Sequence, residues 1–124
     1  MCLSETWLHS RIQTSLTDVP RYKCFRKDRK TGKGGGVVIY IRNSIKCTEM
    51  VLDYDVKIEY LCLNVCLSPR MHFRIMLLYN PPACDSSFYD NLDKLLKTIA
   101  HKSEVLIFGD FNIDWLDKSK RKKL

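Results

Sequence analysis

The sequence predicts an α/β protein with a mixed β-sheet and flanking helices, and three observations predict it. The segments 37–42, 57–67 and 71–79 are rich in β-branched, aromatic and alternating apolar residues, as strands are. Phe88, Leu92, Leu95, Leu96 and Ile99 fall on one face of a helix. A further apolar run, 104–108, follows that helix, and a strand–helix–strand order implies a parallel pair joined by a right-handed crossover. With 124 residues and 45% hydrophobic content, the chain reads as one domain with its own core.

Taken in order, Met1-Cys2-Leu3 reads as the tail of a buried strand, and Ser4-Glu5-Thr6-Trp7 follows at once. The polar stretch 10–33 reads mostly as loop. Gly34-Gly35-Gly36 precedes a strand, not a helix, and lacks the phosphate-loop pattern, so it is expected to make a turn. Residues 57–67 place Glu59, Leu61, Leu63, Val65 and Leu67 on one face and Ile58, Tyr60, Cys62, Asn64 and Cys66 on the other. Both faces are largely apolar, which predicts a central strand. Ser68-Pro69-Arg70 turns the chain into a hairpin with 71–79, and Asn80-Pro81-Pro82 stops the returning strand because proline has no ladder donor. Asp85 or Ser86 is expected to cap the helix. Val105 to Phe108 are expected to form a short buried strand broken by Gly109, and 116–124 looks like the first turns of another helix.

The net charge of +7 and a pI near 9.2 favour an anionic partner, nucleic acid ahead of a membrane surface. The basic residues cluster in 21–33 (Arg21, Lys23, Arg26, Lys27, Arg29, Lys30 and Lys33) and again in 118–123. Six cysteines and three histidines form no zinc pattern. The thiols read as reduced, Cys62 and Cys66 as small buried apolar residues, and the chain as nuclear or cytoplasmic, without signal peptide or membrane span.

Chemistry is suggested by Gly109-Asp110-Phe111-Asn112. In an extended chain Asp110 and Asn112 project to one side while Phe111 packs to the other. A carboxylate takes a proton from water or holds a hard cation; a carboxamide orients water or a phosphate oxygen. The same four residues also suit a polar turn. Glu5 and Tyr79 stand at two other strand ends, where each has a structural explanation of its own as a turn cap and an edge aromatic.

Together, Leu3-Ser-Glu-Thr-Trp-Leu8, Gly34-Gly-Gly-Val-Val-Ile-Tyr-Ile-Arg42, Leu78-Tyr-Asn-Pro-Pro82 and Gly109-Asp-Phe-Asn-Ile-Asp114 resemble the endonuclease/exonuclease/phosphatase family. The nearest likeness is to the apurinic-type endonuclease domain of non-long-terminal-repeat (LINE) retrotransposons of the jockey and chicken-repeat kind. The resemblance implies part of a four-layered α/β sandwich and Mg²⁺-dependent phosphodiester hydrolysis, with Mn²⁺ as a substitute metal and DNA, or RNA, as substrate. It implies Glu5 and Asp110 as metal ligands, Tyr79 against the scissile phosphate, Asp110 positioning or deprotonating the attacking water, and Asn112 orienting that water or a phosphate oxygen. The family pattern opens with an asparagine-bearing strand and closes with a second Asp/Asn site and a Ser-Asp-His segment, none of which this sequence contains. Residues 1–124 are therefore expected to be a single partial domain, the N-terminal half to three-fifths of the fold. A catalytically inactive remnant that binds nucleic acid or protein is the alternative, and a phosphatase of the same fold a further one. A partial sandwich is also expected to leave the row Leu61, Leu63, Val65 and Ile75 with part of a partner sheet or none, and an edge open beside Cys2 and Leu3, favouring self-association.

Overall fold

The computed structural model describes residues 1–30, 33–52, 58–82, 87–101 and 103–112. Their elements run β1 (Cys2–Ser4), a 3₁₀ turn (Thr14–Thr17), β2 (Tyr22–Lys27), β3 (Val37–Arg42), β4 (Lys46–Glu49), β5 (Glu59–Ser68), β6 (Met71–Tyr79), α1 (Ser87–Ile99) and β7 (Val105–Asp110). They form two sheets, one ordered β1-β3-β2 and the other β4-β5-β6-β7. All pairs are antiparallel except β6 and β7, which the α1 crossover makes parallel. The fold is thus mixed α/β, as the sequence predicts.

The sheets pack face to face. Val37, Ile39 and Ile41 of β3 close onto Leu61, Leu63 and Val65 of β5 and Leu77 and Tyr79 of β6. Of the row expected to meet part of a partner sheet or none, Leu61, Leu63 and Val65 are buried against a three-stranded sheet and Ile75 is half-buried. The row's partner is β3, which leaves the β5–β6 hairpin to join β1 and β2 in the second sheet. The opposite face of the larger sheet, with Ile58, Tyr60, Cys62, Met76 and Leu78, is covered by Phe88, Leu92, Leu95 and Ile99 of α1. With both faces covered, β5 is a central strand, and its two apolar alternations each have a destination.

Two local expectations are corrected and one is refined. Segment 10–33 is loop over most of its length, as expected, but it also holds an unforeseen strand, Tyr22–Lys27, which pairs along β3. Its three charged side chains mask a strand that tertiary pairing stabilises, with Phe25 packed on the inter-sheet core and Arg26 donating to the His9 and Ile12 carbonyls. The short strand β4 was likewise hidden by polar residues. The run Val105–Phe108 is a strand but not a buried one: Leu106, Ile107 and Phe108 are 49%, 38% and 45% exposed. Among the described residues it forms the edge of its sheet, Val105 alone of the run packs on the helix-side core, and β1 opposite is three residues long. Nor does Gly109 break this strand. It stays in register with Leu78, and a side chain there would overlap the Leu78 carbonyl, so glycine lets the two backbones approach.

Cys62 is buried, and burial pushes its thiol pKa up to about 11 against a smaller opposing pull from Arg74. Cys66 is only half-buried, and Cys2, Cys24, Cys47, Cys62 and Cys66 are all free thiols. Among the described residues no helix is long and apolar enough to cross a membrane. The expected helix cap at Asp85 or Ser86, the 116–124 helix and the 118–123 basic run lie outside the described residues.

Candidate active site

One rim of the sandwich gathers the ends of β1, β6 and β7 and the starts of β3 and β5. Antiparallel pairing of β1 with β3 sets Ser4 opposite Val37, so Glu5 emerges beside the glycine run. In the larger sheet Glu59, Tyr79 and Asp110 lie in one row across β5, β6 and β7. Tyr79 faces the gap between the sheets, and its hydroxyl donates to Glu5 Oε1 at 2.7 Å, joining residues 74 positions apart in the chain. This bond is the main reason the Tyr79 phenol is held above its ordinary pKa. Burial and the charges of Glu5 and Asp110 push the same way, while Arg29 opposes them.

The Gly109–Asn112 turn follows directly. Asn112 is left-handed, with φ 46°, and its backbone N–H donates to Asp110 Oδ1 at 2.9 Å. Asp110 and Asn112 are both exposed, and Phe111 packs toward the helix-side core. The aspartate thus shapes the loop and presents its carboxylate at the rim. Asn112 does not project as in an extended strand, since its amide donates to the Asn80 carbonyl at 2.5 Å. With its positive φ, Asn112 directs its amide to the end of β6.

Two residues escaped the sequence reading. Asn80, 2% exposed, donates its side-chain amide to the Phe111 carbonyl at 2.7 Å and its backbone N–H to the Asp110 carbonyl at 2.8 Å. It fixes the 110–112 loop, and its buried Oδ1 has no partner among the described residues. Its place between Tyr79 and Pro81 was read only as a strand stop, although a polar residue ending a buried strand needs partners. Glu59 accepts from Arg29 Nε and, at 2.9 Å, from the Gly36 N–H. The available signal was a carboxylate on the same strand face as Leu61, Leu63 and Val65, an apolar row that must enclose it.

The glycine run is part of this rim. Thr6 N donates to Gly36 O at 3.3 Å and Trp7 N to Gly35 O at 3.0 Å, so the run aligns the Glu5-Thr6-Trp7 segment. Glu5 and Trp7 both have positive φ, 52° and 57°. Such backbone strain in non-glycine residues concentrates at functional sites.

The donor set suits a hard divalent cation. Glu5 and Asp110 supply carboxylate oxygens at the same rim, and no cluster of three or more His, Cys, Asp or Glu occurs among the described residues. One or two carboxylates match an ion such as Mg²⁺, which keeps most of its waters. The basic segment divides in two. Arg21, Lys23, Lys27, Lys30 and Lys33 are exposed, whereas Arg26 pairs with Asp28 at 2.6 Å and Arg29 with Glu59.

Residues 1–123 match the family model described as the endonuclease/exonuclease/phosphatase family. Among solved structures, the chain is similar to the human Nocturnin catalytic domain with bound sulfate anion, at 15% identity and a TM-score of 0.66 over 97% of this chain and 53% of that one. It is also similar to the endonuclease domain of TRAS1, a telomere-specific non-LTR retrotransposon, at 9% identity and a TM-score of 0.59 over 79% of this chain and 44% of that one. No curated protein matches. The chain thus spans about half the length of the structures it resembles, and at these identities the likeness is one of fold.

Proposed function

The chain belongs to the endonuclease/exonuclease/phosphatase family, and from that premise we propose that it carries part of the site of a divalent-metal-dependent phosphodiesterase acting on DNA, an endonuclease of retrotransposon origin. One observation carries this reading. Three segments far apart in sequence deliver Glu5, Tyr79 and the Asp110/Asn112 pair to one rim, with Tyr79 hydrogen-bonded to Glu5 and in register with Asp110.

In this reading Glu5 and Asp110 would hold the metal, Mg²⁺ with Mn²⁺ as a substitute. A bound ion would oppose the negative charge that builds on the phosphoryl oxygens and on the leaving oxygen. Asp110 accepts a proton from the attacking water, which Asn112 orients together with a phosphate oxygen. Tyr79, held as a neutral phenol, has one proton to give: it goes to Glu5 here, and it would turn to the scissile phosphate when Glu5 serves as a metal ligand. The exposed cations Arg21, Lys23, Lys27, Lys30 and Lys33 neutralise backbone phosphates, whereas Arg26 and Arg29, expected from sequence to join them, are each paired with a carboxylate and add little net charge. The net charge of +7 supports a polyanionic substrate over a small phosphate ester.

The test is calorimetric titration of Mg²⁺ into the wild-type chain and Glu5→Gln, with nicking of supercoiled plasmid by wild type and Asp110→Ala at several salt concentrations. The expected results are an affinity for Mg²⁺ at least about tenfold weaker in Glu5→Gln and DNA binding that falls steeply with salt. Slow nicking is expected, and Asp110→Ala removes it. Equal Mg²⁺ affinities would overturn Glu5 as a ligand. Phosphate release from inositol phosphates with plasmid left intact would make the protein a phosphatase. Metal and DNA binding with no nicking would make it a binding module.

A further inference from the structure

We infer that Arg29 and Glu59 are positioning residues of this site, clasping the Tyr79 ring so that its hydroxyl meets Glu5 across the gap between the sheets. The inference rests on the roles proposed above for Tyr79 and Glu5. Two neighbouring side chains of the larger sheet, Glu59 and Tyr79, stand opposite each other in the β5–β6 register and both cross to the smaller sheet's side. Tyr79 reaches Glu5, and Glu59 reaches Arg29 Nε and the Gly36 N–H. Arg29 closes the loop. Its guanidinium lies over the Tyr79 ring, 5.5 Å from the centroid, while Nη1 donates to the Lys33 carbonyl at 2.9 Å.

Each contact constrains the next. Glu59 fixes the plane of the guanidinium through Nε, and that plane covers one face of the phenol. A ring covered on one face and bonded at its hydroxyl cannot tilt away from Glu5. Arg29 also matches the charge of Glu59, which would otherwise stand as an uncompensated, largely buried carboxylate. Gly35 is the steric counterpart: a Cβ there would run into the Arg29 guanidinium, so the glycine makes room for the clasp. The side chains of Arg29 and Glu59 are only 19% and 26% exposed. Arg29 therefore acts less as a free cation for a phosphate backbone than as a wall of the site.

The alternative is a staple that merely stiffens the loop before β3. The test separates the two with the full chain, aromatic-labelled for NMR, as wild type, Arg29→Met, Arg29→Lys and Glu59→Gln, each titrated with Mg²⁺ by calorimetry. Tyr79 signals are assigned with Tyr79→Phe. The Tyr40 ring, held from the other face of β3 by the Thr17 carbonyl, reports whether the sandwich is intact. A positioning role predicts that Tyr79 ring signals shift and broaden in Arg29→Met and Glu59→Gln while Tyr40 holds still, with partial return in Arg29→Lys. Mg²⁺ affinity should fall on the order of tenfold although Glu5 is untouched, as for other outer partners of metal ligands. Unchanged Tyr79 signals in Glu59→Gln and either Arg29 variant, with only a lower melting temperature, would overturn the inference. If Arg29→Met loses the Tyr40 signals by failing to fold, the Lys and Gln variants decide. If wild type binds no Mg²⁺, the functional reading fails, and the Tyr79 signals alone still decide whether the clasp exists.

Discussion

β5 and β7 flank the same strand, β6, and both look apolar in sequence, yet they meet opposite fates. In β5, Leu61, Leu63 and Val65 are 0–3% exposed, closed between β3 and the hairpin, while α1 covers the other face. In β7, Leu106, Ile107 and Phe108 are 38–49% exposed. Composition states which side chains favour burial, but position in the sheet decides which obtain it. The difference also locates the site. Among the described residues the inter-sheet core ends with β6, and there Tyr79, Asn80 and Asp110 stand between a packed interior and an edge strand. Rigidity comes from one side and access from the other, which is what positioned groups on a rigid scaffold need.

Truncating the two strands in parallel should break the symmetry of their sequences most visibly. Leu63→Ala removes a side chain with no exposure and should cost about 2–5 kcal/mol by lost transfer energy and cavity formation. Leu106→Ala, starting half exposed, should cost no more than roughly 1 kcal/mol. Phe108→Ser should move any associated species toward monomer, since an exposed apolar edge favours pairing with another copy. Urea unfolding and size-exclusion chromatography check these outcomes. Equal losses at Leu63 and Leu106 would mean that β7 is covered in solution.

A smaller change with a sharper consequence is Gly109→Ala. The added methyl meets the Leu78 carbonyl, and the φ of 141° is one that alanine rarely adopts. About 3 kcal/mol of destabilisation is expected, together with displacement of Asp110, the next residue. The check is thermal melting beside Mg²⁺ titration. A variant that melts like wild type and keeps its metal affinity would show that β6 and β7 do not approach so closely.

Much of this arrangement is legible in the sequence. Strand β3, the β5–β6 hairpin, α1 and the parallel crossover follow from periods of two and 3.6 residues, and Tyr79, Asp110 and Asn112 stand where those elements stop. Strands β2 and β4 are not legible, because their charged and polar residues lack an apolar period and they are strands by virtue of their partners. The division into two sheets is also hidden, since nothing local tells β3 to leave the hairpin that follows it. Glu59 and Asn80 were missed for a related reason: each looks like an ordinary strand residue until tertiary contacts supply its partner. Gly34-Gly35-Gly36 was read as a turn, and only the packing of Thr6, Trp7 and Arg29 around it shows why side chains are excluded there.

The smallest effect lies at the boundary between the two regions and is resolved by pH. Tyr79 is 3% exposed and donates to Glu5, so Tyr79→Phe should cost about 1–2 kcal/mol at neutral pH. The phenol's pKa in the folded protein is raised above its ordinary value of 10, first by the hydrogen bond to Glu5 and then by burial. The folded state therefore holds this proton more tightly than the unfolded state. The associated stability is fully present below the unfolded pKa and is lost as pH rises through the folded one. Tyr40 is raised as well, chiefly by burial, and contributes with the same sign. The informative quantity is thus the difference between wild type and Tyr79→Phe, in which the Tyr40 contribution cancels. That difference should hold from neutral pH to about 9 and shrink toward zero as the pH passes the raised pKa. Urea unfolding of both proteins across this range measures it. A difference that stays constant into strong alkali would mean that the Tyr79 hydroxyl does not donate to Glu5, and the bond joining the packed interior to the open rim would have to be reassigned.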